Sequence, residues 1–216
     1  MRNMFTRRNF YLLGLFFIFS SCGTTPKQNF ETVRLVPSDK IYSSARELAE
    51  IPQPKVMLNE KPIDLNFSQK SPIVKTEFGP STAEVIQFTV DKTKNFLTVW
   101  AWAHPIKSVN QGVVIPSLDV FDSKGNAEIV KQVQIGEDKS CSILKKCFKT
   151  TYDISNLDKG VYSLVLIAKV EDTEKAIDRM NIEASTMVKP RVDVYADFFG
   201  NTRVSLESKL PLKIEK

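Results

Sequence analysis

Short apolar segments with the repeat of β-strands dominate the sequence from residue 62 onward. Residues 62–67 (PIDLNF) and 85–90 (VIQFTV) alternate apolar and polar positions, which predicts strands buried on one face. Residues 96–103 (FLTVWAWA) are apolar on both faces, which predicts a strand covered on both sides. Residues 160–170 (GVYSLVLIAKV) carry the strongest strand signal in the chain. Further strands are predicted at 118–120, 129–135, 148–154, 192–195 and 204–206.

Turn-forming residues separate these segments at intervals typical of short antiparallel connections. Residues 122–126 (DSKGN) and the pair Gly200-Asn201 predict tight hairpin turns. Short strands in series, punctuated by Gly, Asn, Asp and Pro, favour two packed antiparallel sheets. The chain is therefore predicted to be mainly β, an antiparallel, jelly-roll-like β-sandwich with one or two short helices.

Two segments have helical spacing instead. Residues 44–47 (SARE) fit a capping box, with Leu48 and Ile51 on one face of a short helix that Pro52 would end. Within residues 171–187, apolar side chains recur every three or four positions, which predicts a helix packed on the sandwich.

The first 22 residues have the organisation of an export signal. Three arginines precede a nine-residue apolar run at 11–19 (YLLGLFFIF), far short of the about 20 residues that span a bilayer as a helix. The run closes on residues 20–23 (SSCG), which resemble the lipobox of bacterial prolipoproteins. An ordinary export signal with Cys22 nearby by chance is the alternative interpretation.

Lipidation of Cys22 would set the domain organisation and the location. It predicts a signal peptide at 1–21 that is removed, a tether at 22–40 and a β-sandwich domain at 41–216. Several acyl chains together hold a protein stably on a membrane. Because Gly23 rather than Asp follows the cysteine, an outer-membrane lipoprotein facing the periplasm of the cell envelope is favoured. Residues 6–11 (TRRNFY) also resemble a twin-arginine motif, so the export route stays open.

The charge of the chain gives no support to nucleic-acid binding. The formal net charge is +5, from 30 basic and 25 acidic residues. Three of the basic residues belong to the signal, which leaves 27 basic and 25 acidic residues, a net charge of +2. No basic stripe with interleaved aromatic residues occurs, so nucleic acid is not a predicted partner.

The other two cysteines, Cys141 and Cys147, are predicted to form a structural disulfide. Exported proteins meet an oxidising compartment, where such a pair normally closes. A metal site would need further Cys or His ligands, and the one histidine, His104, is distant in sequence. We therefore predict no metal and no cofactor.

No sequence motif points to catalysis. The chain has no GxSxG or HExxH motif and no glycine-rich phosphate loop. His104 precedes Pro105 at the end of a strand, where a hydrogen-bonded structural histidine is expected. The prediction is a non-enzymatic protein with no catalytic residues. A hydrolase with carboxylates from distant strands is the lowest-ranked alternative.

Aromatic residues are the better candidates for a binding site. Trp100 and Trp102 lie two residues apart, so they share one face of a strand. Such a pair can stack on sugar rings or fill the core, and core packing is favoured because Trp buries a large area. Tyr195, Phe198 and Phe199 form a second cluster, which could bind a partner, although packing on the sandwich is again favoured.

Four stretches taken together resemble the maltose operon periplasmic protein family. They are YSSARELAEIP, EVIQFTV, VVIPSLDVFDSKGNAEI and TTYDISNLDKGVYSLVLIAKVEDTEKAI, and their order and spacing are similar over residues 41–210. Pre-peptidase C-terminal modules are similar over EVIQFTV, SLDVFD and GVYSLVLIA. The resemblance implies a periplasmic role linked to maltose and maltodextrin uptake, with no catalytic residues to carry over. The lipobox, and a chain that stops at Lys216, depart from the family pattern.

Two functions follow as expectations. The first is a lipid-anchored accessory protein of the envelope that binds carbohydrate through Trp100 and Trp102. The second is a structural or assembly lipoprotein that binds another envelope protein through an apolar patch around Phe198 and Phe199. The exposure of the two Trp side chains discriminates between them.

Overall fold

A computed structural model describes most of the chain after the export signal. The described residues are 24–52, 56–105, 111–137, 147–168, 170–171, 176–181 and 191–210. They form a mainly β, sandwich-like fold of three sheets with two short α-helices, which confirms the predicted fold class. Within these ranges no helix has the length and apolar character that crossing a membrane requires.

The first layer is a seven-stranded sheet centred on two long antiparallel strands, β5 (Gly79–Val90) and β13 (Gly160–Ile167). The order is β1 (Ile41–Tyr42), β4 (Ile73–Thr76), β5 (Gly79–Val90), β13 (Gly160–Ile167), β9 (Ser117–Phe121) and β10 (Ala127–Glu128), with β2 (Val56–Leu58) also on β5. Pairing is antiparallel except for β1 with β4 and β2 with β5.

The second layer is an antiparallel five-stranded sheet that has β6 at its centre. Its order is β11 (Lys131–Glu137), β12 (Cys147–Asp153), β6 (Phe96–Trp102), β16 (Gly200–Glu207) and β3 (Ile63–Phe67). A four-stranded sheet joins the end of this layer. It consists of β14 (Ala176–Asn181), β15 (Arg191–Ala196), β8 (Gln111–Val113) and β7 (His104–Pro105).

The main core lies between the two larger sheets. Alternate residues of β13, such as Leu164 and Leu166, and of β6, such as Leu97 and Val99, belong to one buried cluster. Each large side chain buried in this way contributes about 1.5–3 kcal/mol relative to an exposed one. The apolar positions that recur at every second residue of these strands thus form the core between the two sheets.

The turn at residues 122–126 shows how local chemistry closes a hairpin. The Asp122 carboxylate accepts hydrogen bonds from the backbone N–H groups of Lys124 and Asn126, both at 2.8 Å. Gly125 has φ of 78°, a left-handed conformation that suits glycine. The predicted turn between β9 and β10 is confirmed.

The predicted short helix is α2 (Ala45–Glu50), which covers the outer face of the seven-stranded sheet. The Ser44 side chain caps it by accepting a hydrogen bond from the Glu47 N–H at 3.2 Å. Leu48 packs in a cluster with Val165 and Ile167 of β13. This helix therefore gives the seven-stranded sheet a second buried face.

The tether predicted for residues 22–40 is wrong from Pro26 onward, where α1 (Pro26–Arg34) packs on the domain. Thr25 and Gln28 form a capping box, with proline at the first helical position. Val33 is buried, and the Phe30 ring lies 5.5 Å from the Phe198 ring. A buried apolar stripe docks this segment on the fold, whereas a spacer would have none.

The helix predicted at 171–187 is also wrong where the chain is described. Residues 176–181 form β14, which pairs antiparallel with β15. Backbone pairing with a neighbouring strand here overrides a weak helical repeat. The flanking residues 172–175 and 182–190 lie outside the described ranges.

Candidate functional site

Trp100 and Trp102 lie on the outer face of the five-stranded sheet. Leu97, Val99 and Ala101 of the same strand point into the core and are buried. The two Trp side chains alternate with them and are partly exposed. The prediction that both rings fill the core is therefore wrong. Their strand is apolar on both faces, so its periodicity cannot identify which face meets the other sheet.

Charged and polar side chains from the neighbouring strands surround the two rings. Lys149 of β12 and Arg203 of β16 lie directly opposite Trp100, and Asn201 of β16 lies opposite Trp102. We call these five residues the Trp face. Cross-strand neighbours have Cβ atoms about 4.5–5.5 Å apart, so the five side chains form one continuous surface.

Each indole ring is contacted by a cation. The Lys149 Nζ atom lies 4.9 Å from the Trp100 ring centroid, and the Arg203 Cζ atom lies 5.3 Å from the Trp102 centroid. Cation–π contacts at exposed sites are worth about 0.5–1 kcal/mol each. They favour the observed arrangement of the rings on the sheet.

A paired carboxylate fixes the arginine in turn. Arg203 donates from Nε and Nη2 to the two oxygens of Asp64, at 2.7 and 3.0 Å. These hydrogen bonds lower the pKa of the Asp64 carboxyl and raise the pKa of the Arg203 guanidinium. Both groups stay charged at neutral pH, with the guanidinium held beside Trp102 in a planar, two-bond contact.

A cavity of about 390 Å³ opens at the edge of the Trp face. Asn201 lines it and is also the direct neighbour of Trp102. Asn66 of β3, the neighbour of Asn201 on the other side, lines it as well. The remaining polar wall comes from Thr24, Asn29, Ser68, Gln69 and His104.

A buried carboxylate holds the wall of this cavity in place. Asp197 has a fully buried side chain, and its Oδ1 accepts from Asn29 Nδ2 and from the Phe198 N–H, both at 2.7 Å. Its Oδ2 lies 3.2 Å from His104 Nε2. A carboxylate accepts hydrogen bonds, so His104 carries its proton on Nε2. The network joins α1, β7 and the β15–β16 turn.

The His104 ring fits only because its neighbour on β8 is glycine. A Cβ atom on Gly112 would lie 2.9 Å from His104 Nε2 and 2.7 Å from Asp197 Oδ2. The His104 Nδ1 atom is buried and has no hydrogen-bond partner within the described part of the chain. The expected strand-end histidine is thus hydrogen-bonded through one nitrogen only.

The described residues hold no cluster of three or more His, Cys, Asp or Glu side chains that could bind a metal ion. Of the carboxylates, Glu84 has its pKa raised by burial, and Ser71 donates a hydrogen bond to it at 2.5 Å. Glu84 does not line the cavity beside Trp102.

The cysteine predictions fall largely on residues that are not described. Cys147 begins β12 opposite Trp102, is completely buried, and is not a free thiol. Cys141 and Cys22 lie outside the described ranges. The Cys141–Cys147 disulfide and the lipidation of Cys22 therefore stay predictions.

The apolar partner-binding patch predicted around Phe198 is wrong. Phe198 is 1% exposed and packs against Phe30 of α1. Phe199 is half-buried in the same cluster and lines the cavity, and Tyr195 is half-buried on β15. The reason is the docking of α1, which the sequence reasoning had assigned to a tether.

Sequence reasoning missed the polar residues of this region. Asn66 and Asn201 occupy exposed positions of alternating strands, which is a recognisable signal for a solvent face but not for a site. They meet because β3 pairs with β16, a long-range contact that periodicity does not specify.

Comparison of the chain with protein-family models, with curated proteins and with solved structures finds no match. The resemblance to the maltose operon periplasmic protein family therefore stays a prediction, and the site must be interpreted from its own geometry.

Proposed function

We propose that this chain is a non-enzymatic binding protein of the bacterial envelope whose Trp face binds carbohydrate. One observation carries the proposal: two Trp rings lie partly exposed, two residues apart, on a polar outer sheet face. The apolar C–H faces of sugar rings stack on such surfaces. Side chains two apart on a strand are about 7 Å apart, so an extended chain of sugars can contact both rings.

The charged neighbours support a preorganised site. Lys149 and Arg203 each lie over one face of an indole ring, and Asp64 holds Arg203. A ligand therefore meets side chains that have already lost much of their freedom, which lowers the entropic cost of binding. The same groups can donate to or accept from sugar hydroxyls at the rim of the stacking surface.

Isothermal titration calorimetry with maltodextrins tests the proposal, because the sequence resemblance points to that class. Trp fluorescence is a second readout, since Trp100 and Trp102 are the only two Trp residues in the chain. Trp102→Ala should weaken binding at least about tenfold, equal to about 1.4 kcal/mol.

The control is Phe78→Ala, which removes a partly exposed aromatic ring from the β4–β5 turn, away from the Trp face. It should leave the affinity unchanged. If maltodextrins give no heat of binding and leave the Trp fluorescence emission unchanged, the proposal that the Trp face binds carbohydrate is wrong.

The location is part of the same proposal: Cys22 is lipidated and holds the domain on the periplasmic side of the outer membrane. α1 supports a close attachment, because only three residue steps separate Cys22 from the helix cap Thr25. An extended chain of that length reaches about 10 Å. Mass spectrometry of the mature N-terminus should find a diacylglyceryl group on Cys22, whereas an unmodified Met1 in a cytosolic fraction would contradict it.

The second candidate function is that of an assembly protein that binds another envelope protein. A surface at β11, rather than the Phe198 cluster, supports this function. In the described part of the fold β11 is paired on one side only, and Ile135 on it is 58% exposed. Ile129, just before it, is 87% exposed. An edge strand with exposed apolar side chains is a docking surface for another chain. Photo-cross-linking from position 135 in cells should trap one defined protein if this function holds, and none otherwise.

A further inference from the structure

We propose that the cavity beside Trp102 binds the uncharged terminal sugar of the chain that stacks on the Trp face. This inference rests on the proposed carbohydrate function and extends it from a stacking surface to a site that recognises a chain end.

The chemistry of the cavity wall fits an uncharged, hydroxyl-rich ligand. Its described lining includes the side-chain amides of Asn66, Gln69 and Asn201 and the hydroxyl groups of Thr24 and Ser68, with no Asp, Glu, Lys or Arg. An amide offers both donors and an acceptor, and a sugar hydroxyl both donates and accepts. Such a wall can match several hydroxyl groups and offers no counter-charge to an acidic ligand.

The side-chain amides on this wall are also available to hydrogen-bond a ligand. Within the described part of the chain, no side-chain hydrogen bond involves Asn66, Gln69 or Asn201, whereas Asn29 on the same wall is committed to Asp197. A ligand would therefore exchange water for its own hydroxyl groups without breaking a contact inside the protein.

The cavity continues the stacking surface. Trp102, Asn201 and Asn66 are consecutive cross-strand neighbours on the outer face. A sugar stacked on Trp102 would have its next ring beside Asn201, at the mouth of the cavity. The volume of about 390 Å³ lies within the roughly 300–1,000 Å³ of small-molecule pockets.

One part of the cavity wall is held by a hydrogen-bond network. His104 is fixed by Asp197, and Asp197 also holds Asn29 of α1. α1 and the residue before its cap supply Asn29 and Thr24 to the lining. Because α1 is docked on the fold and contributes to this wall, we infer that the site takes the end of a sugar chain rather than its middle.

Linear maltoheptaose and its cyclic counterpart β-cyclodextrin separate end recognition from stacking, since only the linear sugar has a chain end. Calorimetry on the full mature chain should show the linear sugar binding about tenfold more tightly. Asn66→Ala and Asn201→Ala should each reduce that preference by about fivefold to tenfold, the value of one hydrogen bond. Cyclic binding should stay unchanged in Asn66→Ala, because Asn66 lines the cavity and is not part of the Trp face. Asn59→Ala, an exposed asparagine outside the cavity lining, is the matched control and should change neither.

Three results would overturn the inference, and they differ in whether the proposed carbohydrate function survives. Equal binding of both sugars, or an unchanged preference in both Asn variants, overturns the end subsite and leaves the Trp face as the carbohydrate site. Loss of cyclic binding in Asn66→Ala as large as the loss of linear binding also overturns end recognition. Binding of neither sugar overturns this inference and the proposed function together.

Discussion

Replacing Trp100 by alanine tests whether the ring lies outside the core. The ring is partly exposed, and its contacts include a cation–π contact with Lys149 and cross-strand pairing with Arg203. The first is worth about 0.5–1 kcal/mol and a cross-strand pair about 0.2–1 kcal/mol. Trp100→Ala should therefore lower the free energy of unfolding by about 1–2 kcal/mol.

A ring packed between the sheets would behave differently. Trp→Ala in a core costs about 3–5 kcal/mol, because it removes buried area and leaves a cavity. Leu164→Ala is the matched core control, since Leu164 is fully buried in the main cluster and should cost about 2–5 kcal/mol. Urea unfolding followed by far-ultraviolet circular dichroism measures both variants without relying on Trp emission. A Trp100→Ala cost of 3 kcal/mol or more, equal to that of Leu164→Ala, would refute the outward placement of the ring.

Three further predictions follow from other contacts. Asn29→Ala should lower the unfolding free energy by about 1.5–3 kcal/mol, because it removes a buried hydrogen bond to the Asp197 carboxylate; a loss below about 0.5 kcal/mol in urea unfolding would contradict the docking of α1. Burial raises the pKa of Glu84 above its ordinary 4.5, so the folded state favours the protonated acid, and this stabilisation is lost as pH rises through the folded pKa. Glu84→Gln should therefore gain stability relative to wild type from about pH 4.5 upward, whereas a difference independent of pH would contradict it. Non-reducing peptide mapping of secreted protein should find Cys141 linked to Cys147, a closure worth about 2 kcal/mol, and alkylation of Cys141 without reduction would exclude it.

Much of the fold could be predicted because apolar and polar residues that alternate along a strand correspond to buried and exposed positions of a sheet. The strand at 160–170, the turn at 122–126 and the helix after Ser44 all have local signals that agree with the structure. Residues 176–181 form a strand although their apolar positions recur at helical spacing, because pairing with β15 decides the local structure.

The candidate site was predicted only in part. The sequence shows that Trp100 and Trp102 share a face, but both faces of their strand are apolar, so the outward side could not be assigned. Asp64 and Arg203 are 139 residues apart in sequence, and only the pairing of β3 with β16 brings them together. The helix α1 had a recognisable start at Thr25, and assigning it to a tether hid both the burial of Phe198 and the wall of the cavity.

The claim that the Trp face binds carbohydrate is tested most directly by nuclear magnetic resonance of the two indole N–H groups. The chain contains only Trp100 and Trp102, so a ¹⁵N-labelled protein should give two indole signals. Titration with maltoheptaose should move both signals along saturable curves that give one dissociation constant. Indole signals that stay in place while maltoheptaose is added to saturating concentration would contradict the account.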